Sequence, residues 1–156
     1  MRFQNVKPEE LEGPIKLAGF SEWAKSLPPG SGAESVLLAA PPGTGKGAAI
    51  GCLADALHYD IVRCRLKQLL EYPDPAGEFK AMLQGAEHLH RTVIWLDGLD
   101  RFLAEVVRDG DMILNDWLKT EHNLLKKNEL IVVGTARQTD ALPGAAVDAF
   151  DRTFAH

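Results

Sequence analysis

"APPGTGKG", Ala40 to Gly47, follows the apolar run ESVLLAA (residues 34–40) and precedes a segment in which Ile50, Leu53, Ala54 and Leu57 recur at helical spacing. That order predicts a buried strand, a tight glycine turn and an amphipathic helix. A glycine-rich turn at this junction lets successive backbone N–H groups converge on phosphate oxygens, and the helix N-terminus adds partial positive charge. Pro42, Gly43, Thr44, Gly45, Lys46 and Gly47 are therefore the candidate nucleotide-binding residues, with Lys46 placed to reach the outer phosphates. The stretch nearly spells G-x-x-x-x-G-K-[S/T], but Ala40 replaces the first glycine and Gly47 the hydroxyl residue. Without that hydroxyl a bound Mg²⁺ loses one protein ligand.

Working outward, DIVRCRL (60–66), TVIWLD (92–97) and LIVVG (130–134) read as further strands. Between them Phe79, Met82, Leu83 and Ala86 mark a second helix, and Leu114, Trp117, Leu118 and Leu125 a third. Strands alternating with helices predict a parallel sheet covered on both faces. Residues 1–30 read as a lead-in helix around Leu17 to Trp23 closed by the linker LPPGSG, and residues 31–156 as the main α/β unit.

The 156 residues fit one domain, and 46% hydrophobic content suffices for a core. A net charge of −5, with acids and bases interspersed, offers no electrostatic footprint for nucleic acid. Cys52 and Cys64 lack metal-site or redox spacing and read as small buried thiols in a reducing setting. The N-terminus has no apolar signal core, and no window approaches the ~18 apolar residues that a membrane span needs. A soluble, cytoplasmic chain with no membrane partner is the expectation.

Asp97, closing the strand TVIWLD, is placed to hold Mg²⁺ through water and is the candidate catalytic and metal residue; a helix cap is its plainer alternative. Gly98 stands where a glutamate would orient the attacking water, a contribution of typically ~10² to 10⁴-fold. His88 and His90 fall two apart on a predicted helix and so face apart, while His58, His122 and His156 have no partner spacing. KTEHNLLKKNE (119–129) reads as a surface helix whose lysines suit its C-terminal dipole.

Taken together, PPGTGKG, VIWLDGLDRF, LIVVGTARQTDAL and AFDRTF resemble, in order and context, the signatures P-P-G-T-G-K-T, D-E-I-D, G-A-T-N-R-P-D and R-F-D-R of the ring-forming, protein-remodelling AAA+ ATPases. The likeness runs from about Gln4 to His156. It implies a P-loop NTPase fold, a three-layer α/β/α sandwich on a five-stranded parallel sheet with DRTFAH as the last strand. The family's helical lid has no counterpart in this sequence. Carried over residue by residue, the metal-binding hydroxyl is Gly47, the Walker B glutamate is Gly98, the sensor asparagine is Arg137, and the ring-completing arginine falls near Ala149. Gly43, Gly45, Lys46 and Asp97 are kept, and Arg152 matches the final arginine of F-D-R, the arginine-finger region. Tyr72 in LLEYPDPAGE resembles the aromatic of the central-pore loop; an ordinary surface tyrosine fits equally well.

The resemblance thus implies a degenerate AAA+ domain that binds ATP or ADP, hydrolyses it weakly or not at all, holds Mg²⁺ weakly because of Gly47, and serves as a structural, assembly or regulatory module. An active ATPase module of a remodelling machine and a protein-interaction domain without nucleotide are the alternatives. Protein partners or other AAA+ subunits are implied, and a monomer in isolation is compatible with the absent lid and with Ala149.

Overall fold

The computed structural model describes residues 3–106 and 109–155. Its strands are β1 (Gln4–Val6), β2 (Ser35–Ala39), β3 (Asp60–Arg65), β4 (Thr92–Asp97), β5 (Leu130–Ala136) and β6 (Arg152–Ala155), joined in one sheet of order β1-β3-β4-β5-β2-β6. The last five in that row run parallel, as expected, and His156 of the DRTFAH strand lies outside the described residues. A sixth strand corrects the count: β1 pairs antiparallel with β3, Gln4 opposite Arg63 and Val6 opposite Ile61. Three residues are too few to show a period-2 pattern, so periodicity could not reveal it.

The helices are α1 (Phe20–Ser26), α2 (Lys46–Leu57), α3 (Pro75–Ala86), α4 (Leu99–Glu105), α5 (Asp109–Thr120), α6 (His122–Lys127) and α7 (Gly144–Ala149). The single third helix expected around Leu114 to Leu125 is two, because Glu121 leaves helical geometry at φ −98° and ψ 16°. His88 and His90 are off the helix, contrary to expectation. Helix α3 ends at Ala86, and Arg91 at φ 47° turns the chain into β4. That turn is set by where the central strand must begin, which no local pattern discloses.

Side chains alternate across each strand, and this builds two cores. Val36, Leu38, Ile61, Val93, Trp95, Ile131 and Val133 face α1 and α2. Leu37, Val62, Cys64, Ile94, Leu96 and Val132 face α3 to α7. The three-layer α/β/α arrangement follows directly.

Residues 3–30 are part of this body. Besides β1 and α1, they supply a 3-10 turn, Pro8–Leu11, which packs on α2, and the Lys16 amide donates to the Thr44 carbonyl at 2.8 Å. The lead-in is thereby fastened to the phosphate loop itself.

Candidate functional site

Strand β2 ends at Ala39, and the loop after it reaches α2 within six residues. Ala40 is fully buried and does not adopt a positive φ, so the missing glycine is tolerated there. Gly43 and Gly45 are left-handed, at φ 84° and 87°, and Gly45 caps α2. The Thr44 hydroxyl donates to the Pro41 carbonyl at 2.8 Å and pins the turn, while Pro42 and Gly43 face solvent. Lys46, the first residue of α2, donates through Nζ to the carbonyls of Ala40 (2.5 Å) and Ala136 (3.1 Å). Burial lowers its pKa, and the nearby charges of Asp100 and Asp97 only partly restore it against Arg137. A partly desolvated ammonium at a helix N-terminus, held by neutral carbonyls, is a site that an anion would complete.

Beside the loop, period-2 alternation places Arg63, Trp95, Asp97 and Thr135 on the α2 face at the C-terminal end of the sheet. Arg63 lies opposite Trp95, and Asp97 opposite Thr135. The Arg63 guanidinium donates to Asp97 Oδ2 from Nε (2.9 Å) and Nη2 (2.5 Å), and its Cζ stands 4.2 Å from the Trp95 ring centroid. Thr135 Oγ1 donates to Asp97 Oδ1 at 3.1 Å and accepts from Trp95 Nε1 at 3.0 Å. The four side chains close one network. Arg63 escaped sequence reading, although a charged residue among Ile61, Val62 and Cys64 was a usable signal.

The AAA+ resemblance implies magnesium here, and the donor set does not fit it. Both Asp97 oxygens are engaged, one of them by a guanidinium. At position 47 a Cβ would stand in ordinary contact with Leu11 Cδ2 (3.4 Å) and Trp95 Cη2 (3.6 Å), so this position is walled by apolar groups and supplies no oxygen donor to a metal. Gly98 sits at φ 86° as the cap of α4, a conformation that a glutamate would adopt only at a cost of ~1 to 2 kcal/mol. The lost positions are thus built into their surroundings.

Arg137, at the sensor-like position, serves a clamp. Its backbone N–H (3.2 Å) and Nε (3.1 Å) both donate to Asp100 Oδ2, while the Arg101 amide donates to Oδ1 at 2.9 Å. Asp100 is 5% exposed. Burial pushes its carboxyl up, but the hydrogen bonds from Arg137 and Arg101 and the charge of Arg137 outweigh this and leave it below the ordinary range. A depressed carboxyl pKa contributes stability that is full above about pH 4 and is lost as pH falls through the folded value. Asp100→Ala is therefore expected to cost about 2 kcal/mol by orphaning these donors, lowering the melting temperature by about 4 to 8 °C. Melts of both proteins from pH 7 to pH 3 check this, the gap holding to about pH 5 and closing in acid.

A cleft of about 660 Å³ opens at this end of the sheet, lined by Arg63, Arg65, Lys67, Arg101 and Arg137 against Glu71, Asp97 and Asp100. Five cations face three carboxylates in a chain of net charge −5. Tyr72 follows the 3-10 turn Leu66–Glu71 that borders the cleft, and is 43% exposed. Arg152 lies elsewhere, at the start of edge strand β6 opposite Val36, with its Cζ 5.6 Å from the Trp23 ring centroid. Ala149 ends α7 and packs against the other core, on the far face of the sheet. Among the described residues no three His, Cys, Asp or Glu side chains gather as a metal site, and no helix is long and apolar enough to cross a membrane.

The solved AAA domain of FIGL-1, in complex with ADP, superposes with a TM-score of 0.70 at 19% identity, a likeness of fold alone. The match covers 98% of this chain and 57% of that one, so the present chain spans little more than half the length of that relative. No curated protein matches the sequence. The model of the ATPase family associated with various cellular activities (AAA) matches residues 36–156. With well over half of its length so matched, the chain belongs to the AAA family.

Proposed function

We propose that this domain binds ATP or ADP through the Ala40–Gly47 loop, turns it over weakly or not at all, and acts as a structural, assembly or regulatory module. The carrying observation is the division of the site. The groups that would hold phosphates are arranged to suit that role: left-handed Gly43 and Gly45, and Lys46 at the start of α2. The groups that would drive hydrolysis are absent or committed elsewhere, with Gly47 against Trp95, Gly98 at positive φ, Asp97 under Arg63, and Arg137 on Asp100. Adenine nucleotide is favoured because the structural neighbour was solved with ADP. Other AAA+ subunits or a client protein, in the cytoplasm, are the partners this reading carries.

Calorimetric titration of the chain with ADP and ATP, alongside a phosphate-release assay, tests it. Saturable binding, a raised melting temperature and release at background are expected; a ligand at 100 times its Kd stabilises by about 2.7 kcal/mol. Phosphate release above background that Asp97→Asn abolishes would overturn it in favour of an active ATPase. No heat and an unmoved melting temperature would leave a protein-interaction domain.

A further inference from the structure

We propose that Arg63 supplies, from within the chain, the positive charge that the phosphate site of this family draws from magnesium, so that a polyphosphate is held here without metal. This rests on the nucleotide reading above. A metal in that position links the strand-end aspartate to the phosphates, and the Arg63 guanidinium already occupies the aspartate side of such a link. It spends Nε and Nη2 on Asp97 Oδ2, and a guanidinium has five N–H donors, so its other edge remains for a second anion. The side chain is 24% exposed and lines the cationic cleft together with Asp97 and Asp100, the two carboxylates whose charges reach Lys46 of the loop.

Its position is fixed from beneath. The Trp95 ring supports Arg63 at 4.2 Å and its far edge packs against Gly47, so the residue beside the place of the lost hydroxyl is the same one that holds the guanidinium. Replacement of metal by arginine is therefore a single coupled rearrangement of Gly47, Trp95, Arg63 and Asp97. Phosphates drawn to Lys46 would meet the fields of Asp97 and Asp100, which reach that lysine. Arg63 and Arg137, each already on one of those carboxylates, offset the repulsion. The remaining cations of the cleft, Arg65, Lys67 and Arg101, form no ion pair among the described residues and add to the same field.

The test is titration of the full chain with ATP in EDTA and again with excess Mg²⁺, for the wild type, Arg63→Met and Arg63→Lys, with Lys46→Met as the reference for binding in the loop. Wild-type affinity is expected to agree within about twofold between the two conditions. Arg63→Met weakens binding in EDTA by about tenfold or more, the loss of one charge-assisted contact, and regains part of it with Mg²⁺ because Asp97 is released. Arg63→Lys, which keeps the charge but not the fork, falls between; it carries the comparison if Arg63→Met does not fold. Wild-type binding that weakens tenfold in EDTA would overturn the proposal. So would Arg63 variants that bind like wild type while Lys46→Met does not, a result that leaves the nucleotide reading standing. No binding by the wild type in either condition would overturn both.

Discussion

Lys46→Met is expected to weaken ATP and ADP binding by about 100-fold while moving the melting temperature by no more than about 3 °C. Charge-assisted hydrogen bonds contribute about 1.5 to 3 kcal/mol each, and with two of its three donors on carbonyls the ammonium keeps one for the outer phosphates; the upper value, about 3 kcal/mol, is a factor near 100. Stability responds differently because the ammonium is held by the carbonyls of Ala40 and Ala136 rather than by a carboxylate. Its pKa is lowered, chiefly by burial, so the fold holds the charged form less well than the unfolded chain does. That penalty is complete below the folded pKa and disappears only as pH rises toward the unfolded value near about 10.4. At neutral pH, removing the charge relieves the penalty while orphaning one acceptor, Ala40 O, since Ala136 O also accepts from the Ala40 amide at 3.0 Å. The two effects oppose and nearly cancel, leaving a shift of less than about 1 kcal/mol. Titration calorimetry and thermal melts on one preparation check both halves. A large fall in melting temperature would mark Lys46 as a structural residue, and unchanged affinity would remove the loop from the binding site.

What the chain disclosed on its own depended on range. APPGTGKG was legible because strand end, glycine turn and lysine lie within eight consecutive residues and need no partner to be recognised. The parallel strands were legible because four or five buried apolar residues in a row, bounded by turn signals, suit a sheet covered on both faces. The state of Asp97 was not. Its position at a strand end suggested a metal ligand, yet the carboxylate is taken by Arg63 from 34 residues upstream and by Thr135 from 38 residues downstream. Those contacts exist only once β3, β4 and β5 are in register, a long-range property that composition and period do not encode. The same holds for Arg137. Motif position made it sensor-like, whereas Asp100, 37 residues earlier, turns it into a clamp. Strand β1 and helices α4 and α7 were missed for the opposite reason, since elements of three, seven and six residues carry too little local pattern.

Gly45→Ala is expected to destabilise the domain by about 3 kcal/mol, lowering the melting temperature by about 6 to 12 °C, while Gly43→Ala costs about 1 kcal/mol. Both glycines are left-handed, at φ 87° and 84°, so the backbone term is nearly common to the two. Their surroundings differ. A Cβ at Gly43 meets nothing within 4 Å, whereas one at Gly45 would overlap the Pro14 carbonyl oxygen and press on Ile15 Cα. Those atoms belong to backbone, which cannot swing aside as a flexible side chain would. The segment is further tied down by the Lys16 amide on the Thr44 carbonyl and by Leu11 packed against Gly47 and Gly51. Relief would have to come from lifting the lead-in off the loop, which costs that hydrogen bond and uncovers the first turns of α2. The difference between the two variants, about 2 kcal/mol, therefore measures how firmly residues 11–16 brace the phosphate loop. Equal melting temperatures would show the lead-in to be a loose cover. The expected gap would mean that any movement of the N-terminal segment, for instance on engaging a partner, is transmitted to the shape of the loop and hence to nucleotide affinity.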